Sequence, residues 1–181
     1  LSDGTQVWLK EGATIRYPQE FVGNERPVEL TGEAYFDVVK ANTPFIISTN
    51  FAQITVLGTK FNVKSRVDNF EAGVNEGTIK IENKNNSLLI DSGQCVAIKK
   101  KDMLMMQMEM PDEIINNYPG WLNNKIFCDK TSLEHICEEI ERIYNIKIEF
   151  TKKNGARFKY FLNNILCEIK LKINMTAQNN N

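Results

Sequence analysis

The chain has 181 residues, enough for one ordinary domain or two small ones with a real hydrophobic core. Apolar residues at 42% and charged residues at 25% are the proportions of a soluble globular protein, which disfavours disordered, collagen-like and membrane classes. With 22 basic against 23 acidic residues the net charge is -1, so no overall positive field exists to condense onto a phosphate backbone.

No stretch approaches 18 consecutive apolar residues, and the N-terminus lacks the basic, apolar and small-residue regions of a signal peptide. The chain opens on Leu1 rather than Met, and it is read as a piece of something longer. Cys95, Cys128, Cys137 and Cys167 show no CxxC spacing, and the sole histidine, His135, cannot complete a two-histidine metal site. Buried or unpaired structural thiols are the economical reading.

From Leu1 to about Met110 the pattern is one of strands between turn signals. Asp3-Gly4 opens a turn, "TQVWLK" alternates Val7 and Leu9 against Trp8 and Lys10, and Glu11-Gly12 turns the chain into "ATIRYP". Strand candidates then follow at short intervals: "RPVELTGEAYFDVV", "PFIIST", "AQITVLG", "TKFNVKSR", "NFEAGVNEG", "TIKIE", "SLLID" and "QCVAIKK". "DMLMMQMEM" continues as an edge-like strand with Leu104, Met106, Met108 and Met110 on one side. This regularity, with glycine punctuation and no helical period, predicts an all-β unit, β-helix or sandwich-like, over residues 1–110.

The composition then shifts. "PDEIINNYPG", Pro111 to Gly120, carries two prolines, two asparagines and a glycine, which suits a linker over 111–120. Beyond it the apolar period changes from two to 3.6: Leu133, Ile136, Cys137, Ile140, Ile143 and Tyr144 share one helical face, with Glu134, Glu138, Glu139, Glu141 and Arg142 on the other. Thr131 and Glu134 form a capping-box pair at the start. "NKIFCD" before the helix and "NIKIEF" after it alternate, so a small α+β module of strand, helix and strand is predicted over 121–181. The chain as a whole is mostly β.

The last thirty residues fit two patterns, strand 157–162 then helix 164–175, or helix 158–167 then strand 168–175. An internal echo favours the first: Cys137-Glu138 and Ile143 recur thirty residues later as Cys167-Glu168 and Ile173.

Chemistry is sparse. In "VELTGEAYFDV" a strand sets Glu33, Tyr35 and Asp37 on one face against Ala34, Phe36 and Val38 on the other. Two carboxylates can serve a glycosidase, but four residues of strand separate these two by roughly 13 Å, beyond the usual spacing. His135 lies in the first helical turn among glutamates, a solvated or cap-associated position rather than a general base. "LGTK", Leu57 to Lys60, fails as a phosphate loop: Gln53 stands where the first glycine belongs, and no Ser or Thr follows Lys60. Met106, Met108 and Met110 form a thioether array soft enough for Cu(I), although packing by adaptable side chains is far commoner. No catalytic residue, metal or cofactor site is assigned.

Taken in order, "LSDGTQVWLKEGATIRYP", "VELTGEAYFDV", "TPFIIST", "VLGTKFNV" (Val56 to Val63), "EGTIKI" (Glu76 to Ile81) and Gly93-Gln94 resemble the extracytoplasmic part of the FecR-like anti-sigma regulators. The second unit, with "NKIFCDKTSLEHICEEIERIYNIKIEF", is similar to the small module that ends these proteins, itself like the secretin and TonB short N-terminal domain. "RFKYFLNNILCEI" looks like that module's second strand and helix, while its last strands have no match before the chain ends in "TAQNNN".

The resemblance implies a sensor rather than an enzyme. In such proteins a cytoplasmic N-terminal segment holds an ECF (extracytoplasmic-function) sigma factor, and one helix crosses the inner membrane. The periplasmic part receives a signal from the signalling domain of a TonB-dependent outer-membrane transporter. No nucleic-acid contact is implied. The expected docking surface is the strand Ile146, Lys147, Ile148, Glu149 and Phe150, whose edge can accept a partner strand, with the helix face Glu134, Glu138 and Glu141. A rival reading is a small-ligand, glycan-binding domain using Trp8, Tyr17 and Tyr35.

Overall fold

The strand that organises the molecule is its longest, β3 (Arg26–Asp37, 12 residues). Its two halves belong to different layers. In the computed structural model, which describes residues 1–110, 115, 118–123, 137, 140 and 141 and the strands 148–150, 157–162 and 165–170, the N-terminal half of β3 pairs with β2 (Thr14–Arg16) and, in parallel, with β4 (Phe45–Ser48). The C-terminal half pairs with β1 (Gln6–Leu9) and β6 (Lys60–Ser65). Gly32 stands where the halves meet. Its φ of +97° is a conformation that side chains disfavour, and a Cβ there would lie 2.7 Å from the Cα of Ala13.

From this shared strand the sheet extends both ways. The second layer continues through β5 (Gln53–Val56), β8 (Thr78–Glu82) and β9 (Ser87–Asp91); the first continues through β7 (Asn69–Glu76), β10 (Gln94–Lys99) and β11 (Met105–Glu109). The eleven strands form one hydrogen-bonded sheet in the order β11-β10-β7-β6-β3-β4-β5-β8-β9, with β1 and β2 attached to β3. It doubles over so that β9 approaches β7 and β10. Each strand candidate named in residues 1–110 is a strand, and the arrangement is sandwich-like.

Alternation explains the doubling. Phe36, Phe61, Val63, Phe70, Ala72, Val74, Val96 and Ile98 from the first layer meet Val28, Leu30, Phe45, Ile47, Ile54, Ile79, Ile81 and Ile90 from the second in one buried cluster. The aromatic centre is Phe36, stacked on its cross-strand neighbour Phe61 at 5.3 Å and edge-on to Phe45 at 6.2 Å. Arg26 fastens the start of β3 from below. Its guanidinium lies over the Phe45 ring, its Nη1 donates to Asp3 Oδ2 (2.6 Å) and Val39 O (3.1 Å), and its Nε donates to Thr43 O (3.0 Å).

Two details differ from expectation. Met110, expected on one side with Leu104, Met106 and Met108, lies just past the end of β11 and is buried, its amide donating to Gly93 O, whereas the other three are exposed. The chain divides into compact units at Leu1–Phe127 and Cys128–Asn181, so residues 118–123, read from composition as the end of a linker and the start of a module, belong with the β unit.

In the second unit Cys137, Ile140 and Glu141 are helical and Cys137 is buried. A three-stranded antiparallel sheet follows, in the order β12-β13-β14, from β12 (Ile148–Phe150), β13 (Arg157–Leu162) and β14 (Ile165–Lys170). The strand expected over 157–162 is present, but the helix expected over 164–175 is corrected: residues 165–170 are a strand. The apolar spacing of "ILCEIK" fits both periods, and pairing decides between them. Leu162 is registered with Ile165, so only Asn163 and Asn164 stand between the paired ends in sequence, and Lys159 is registered with Glu168.

Candidate functional site: the outer face of the first layer and the β12 edge

The outward residues of the first layer are polar because their inward neighbours fill the core. Glu33 is nevertheless buried. Its Oε2 accepts from Lys10 Nζ at 3.0 Å and Arg66 Nη2 at 3.1 Å, and its Oε1 accepts from Asn62 Nδ2 at 3.3 Å. Lys10 follows β1, Asn62 lies opposite Tyr35 in the β3–β6 register, and Arg66 follows β6. The carboxylate is thus committed to three donors on neighbouring segments, a structural ion cluster rather than an exposed acid or base. Asp37, at the far end of the same face, is half-exposed 3.8 Å from Lys60, which also pairs with Glu76 at 3.3 Å. The two carboxylates are not brought to one site.

What covers Glu33 was not legible as a site. Asn62, which donates to Glu33, accepts from Trp121 Nε1 at 3.2 Å. Beside it lies the partly buried Tyr118, whose desolvation pushes its phenol pKa far above the usual value even though Asn62 bonds to it. Tyr118 therefore stays neutral. Its ring occupies the space above Gly73 in β7: a Cβ on Gly73 would meet Tyr118 Cε1 at 2.7 Å. Asn75, two residues along the same strand face, donates through Nδ2 to Ile115 O at 3.2 Å and Tyr118 O at 2.6 Å. The available signal was two aromatics, Tyr118 and Trp121, inside a stretch that otherwise reads as a connection.

The other sequence candidates separate. Trp8 and Tyr35 are cross-strand partners with ring centroids 5.7 Å apart, and Trp8 is 41% exposed. Tyr17 follows β2 and joins no ring contact among the described residues. Met106 and Met108 are exposed on β11, the terminal strand of the sheet path, and among the described residues no group of three or more His, Cys, Asp or Glu could hold a metal ion. Cys95 carries a free thiol; half-burial, with Glu71 and Glu109 nearby, pushes that thiol's pKa up and keeps it protonated.

Of the expected docking residues, Ile148, Glu149 and Phe150 form β12, which among the described residues pairs on one side only, with β13. Glu141 is helical and half-buried. Glu134, Glu138, Ile146 and Lys147 lie outside the described residues, as does His135. No helix among the described residues is long and apolar enough to cross a membrane.

Comparison with known proteins adds to this geometry. Residues 1–80 match the family model described as FecR protein. No curated protein matches the chain. Two crystal structures from Parabacteroides distasonis ATCC 8503, each described as a "putative anti-sigma factor", are similar. One is 28% identical with a TM-score of 0.72, covering 80% of this chain and 68% of the other. The second is 26% identical with a TM-score of 0.74, covering 94% of this chain and 78% of the other. Residues 1–80 are thus FecR-like, and the chain shares its fold with two structures described as anti-sigma factors.

Proposed function

We propose that this chain is the periplasmic sensing region of a membrane-anchored anti-sigma regulator. On this reading the β unit is the scaffold next to the inner membrane, and the second unit is the module that meets the signalling domain of a TonB-dependent outer-membrane transporter. An ECF sigma factor would be held by a segment preceding Leu1, beyond a single crossing helix. The role is regulatory and non-enzymatic.

The observation that carries the docking part is β12, which among the described residues pairs on one side only. An open edge takes a strand through backbone hydrogen bonds, with specificity supplied by alternate side chains. The docking surface comprises Ile146 to Phe150 with the glutamates Glu134, Glu138 and Glu141. The test is a calorimetric titration of the chain with the periplasmic signalling domain of the transporter encoded beside it. Saturable binding is expected, weakened at least tenfold by Lys147→Pro, which removes a backbone donor beside β12. Equal affinity in a folded Lys147→Pro variant would discard the edge. Failure to bind, both by this chain and by a longer chain with added C-terminal residues, would discard the transporter.

The contact of exposed Trp8 with half-buried Tyr35 supports a second reading, a small glycan ligand laid across these rings. Glycan fragments that bind the chain and lose binding in Trp8→Ala would favour it.

A further inference from the structure

We propose that Tyr118 to Trp121, with Ile115, form a latch on the outer face of the first layer, able to open while the sandwich beneath stays folded. It leads in sequence into the second unit, and docked it holds that connection to the face bearing the Glu33 cluster.

The seat is built for this segment. Gly73 in β7 lies under the Tyr118 ring, and Gly93, a glycine of φ +84° in the turn between β9 and β10, lies against Ile115, whose Cδ1 is 3.3 Å from where a Gly93 Cβ would stand. Gly73 is not a turn glycine. Its φ is outside the positive range, so its lack of a side chain serves the ring above it. Asn75 spends its amide on the strap's own carbonyls while its Oδ1 stays buried without a hydrogen-bond partner, so the side chain is oriented for the strap. Trp121 closes the far end through Asn62, which joins the strap to Glu33 and, through it, to Lys10 and Arg66.

The attachment is unlike the core. Strap and sheet meet through the partly buried Tyr118 ring and a few hydrogen bonds to side chains, whereas the inner face of the same strands is a continuous apolar cluster that the strap does not enter. Water can replace those hydrogen bonds when the strap lifts, and Asn62, Asn75 and Glu33 are polar enough to be rehydrated. Local opening at a cost below global unfolding follows. Its use as a relay, in which a partner's pull on the second unit shifts the latch, rests on the sensor reading above; its opening does not.

Hydrogen exchange on the whole chain tests it. The Trp121 indole N–H donates to Asn62 on the sheet and reports the docked strap together with the Tyr118 and Leu122 amides, whose bonds to Ile115 O and Pro119 O lie within it, and the β3 and β6 amides report the sandwich. In the unaltered chain the strap amides should exchange at least tenfold faster than those of β3 and β6. Gly73→Ala, which places a methyl into the ring, and Asn75→Ala, which removes both carbonyl bonds without crowding, should each speed strap exchange a further tenfold and leave β6 unchanged. Strap and β6 amides exchanging at one rate would overturn the proposal, because the strap would then be part of the sandwich's cooperative unit. No change in either variant would overturn it as well. Loss of transporter binding would bear on the sensor reading alone.

Discussion

The two faces of β3 are a controlled comparison, since neighbouring residues of one strand share backbone and register but not surroundings. Ala34, Phe36 and Val38 enter the cluster between the layers, where shape is matched and nothing polar is required. Glu33, Tyr35 and Asp37 meet specific partners instead: three donors for Glu33, the Trp8 ring for Tyr35, Lys60 for Asp37. The inner face thus supplies stability through area and packing, while the outer face supplies specificity through a few paired groups that water can replace.

The sharpest way to break this contrast is on the inner side. Phe36→Ala should cost about 3–5 kcal/mol in urea unfolding, because the stacked Phe61 and edge-on Phe45 cannot both collapse into the space. A loss under about 1 kcal/mol would mean that the two layers are not close-packed there. On the outer side Glu33→Ala should cost about 2 kcal/mol, below the usual figure for breaking a buried pair because Lys10 and Arg66 are partly exposed. Glu33→Gln should recover part of this by keeping the Asn62 bond.

Smaller effects test the rim. Partial burial by itself would raise the Asp3 carboxyl pKa, but hydrogen bonds from Thr5 and Arg26 outweigh it and leave the group below its ordinary value. A folded-state pKa below the unfolded one means stability that is present above about pH 4 and lost as pH falls through the folded value. Acid titration of unfolding should therefore show a decline below pH 4 that Asp3→Asn lessens. Smallest of all, Arg16→Ala should change stability by less than about 0.5 kcal/mol, since its pairing with Glu29 is exposed and 3.8 Å long. A larger loss would show that the rim contributes more than the comparison allows.

The sandwich was legible because its signal is local: period-two alternation with glycine at the turns marks a strand whatever it pairs with, and β1 to β11 were found that way. Two features were not. "ILCEIK" satisfies helix and strand spacing alike, and its pairing to β13 settles the matter. The strap reads as linker because prolines, asparagines and a glycine mark irregular backbone, yet irregular backbone can still be seated when a sheet offers a glycine and an amide at matching positions. Of the docking residues, only Ile148, Glu149, Phe150 and Glu141 fall among those described, the first three on a strand that pairs on one side only among the described residues.

The sequence by itself determined which residues face inward, where turns fall, and the FecR likeness of the first 80 residues, because each depends on the order of neighbours along the chain. Only the tertiary structure decided that β3 serves two layers, that Glu33 is buried in an ion cluster, and that Tyr118 lies over Gly73. These depend on groups far apart in the chain, such as Glu33 with Arg66, 33 residues away, and Asn62 with Trp121, 59 residues away, whose meeting no local period encodes.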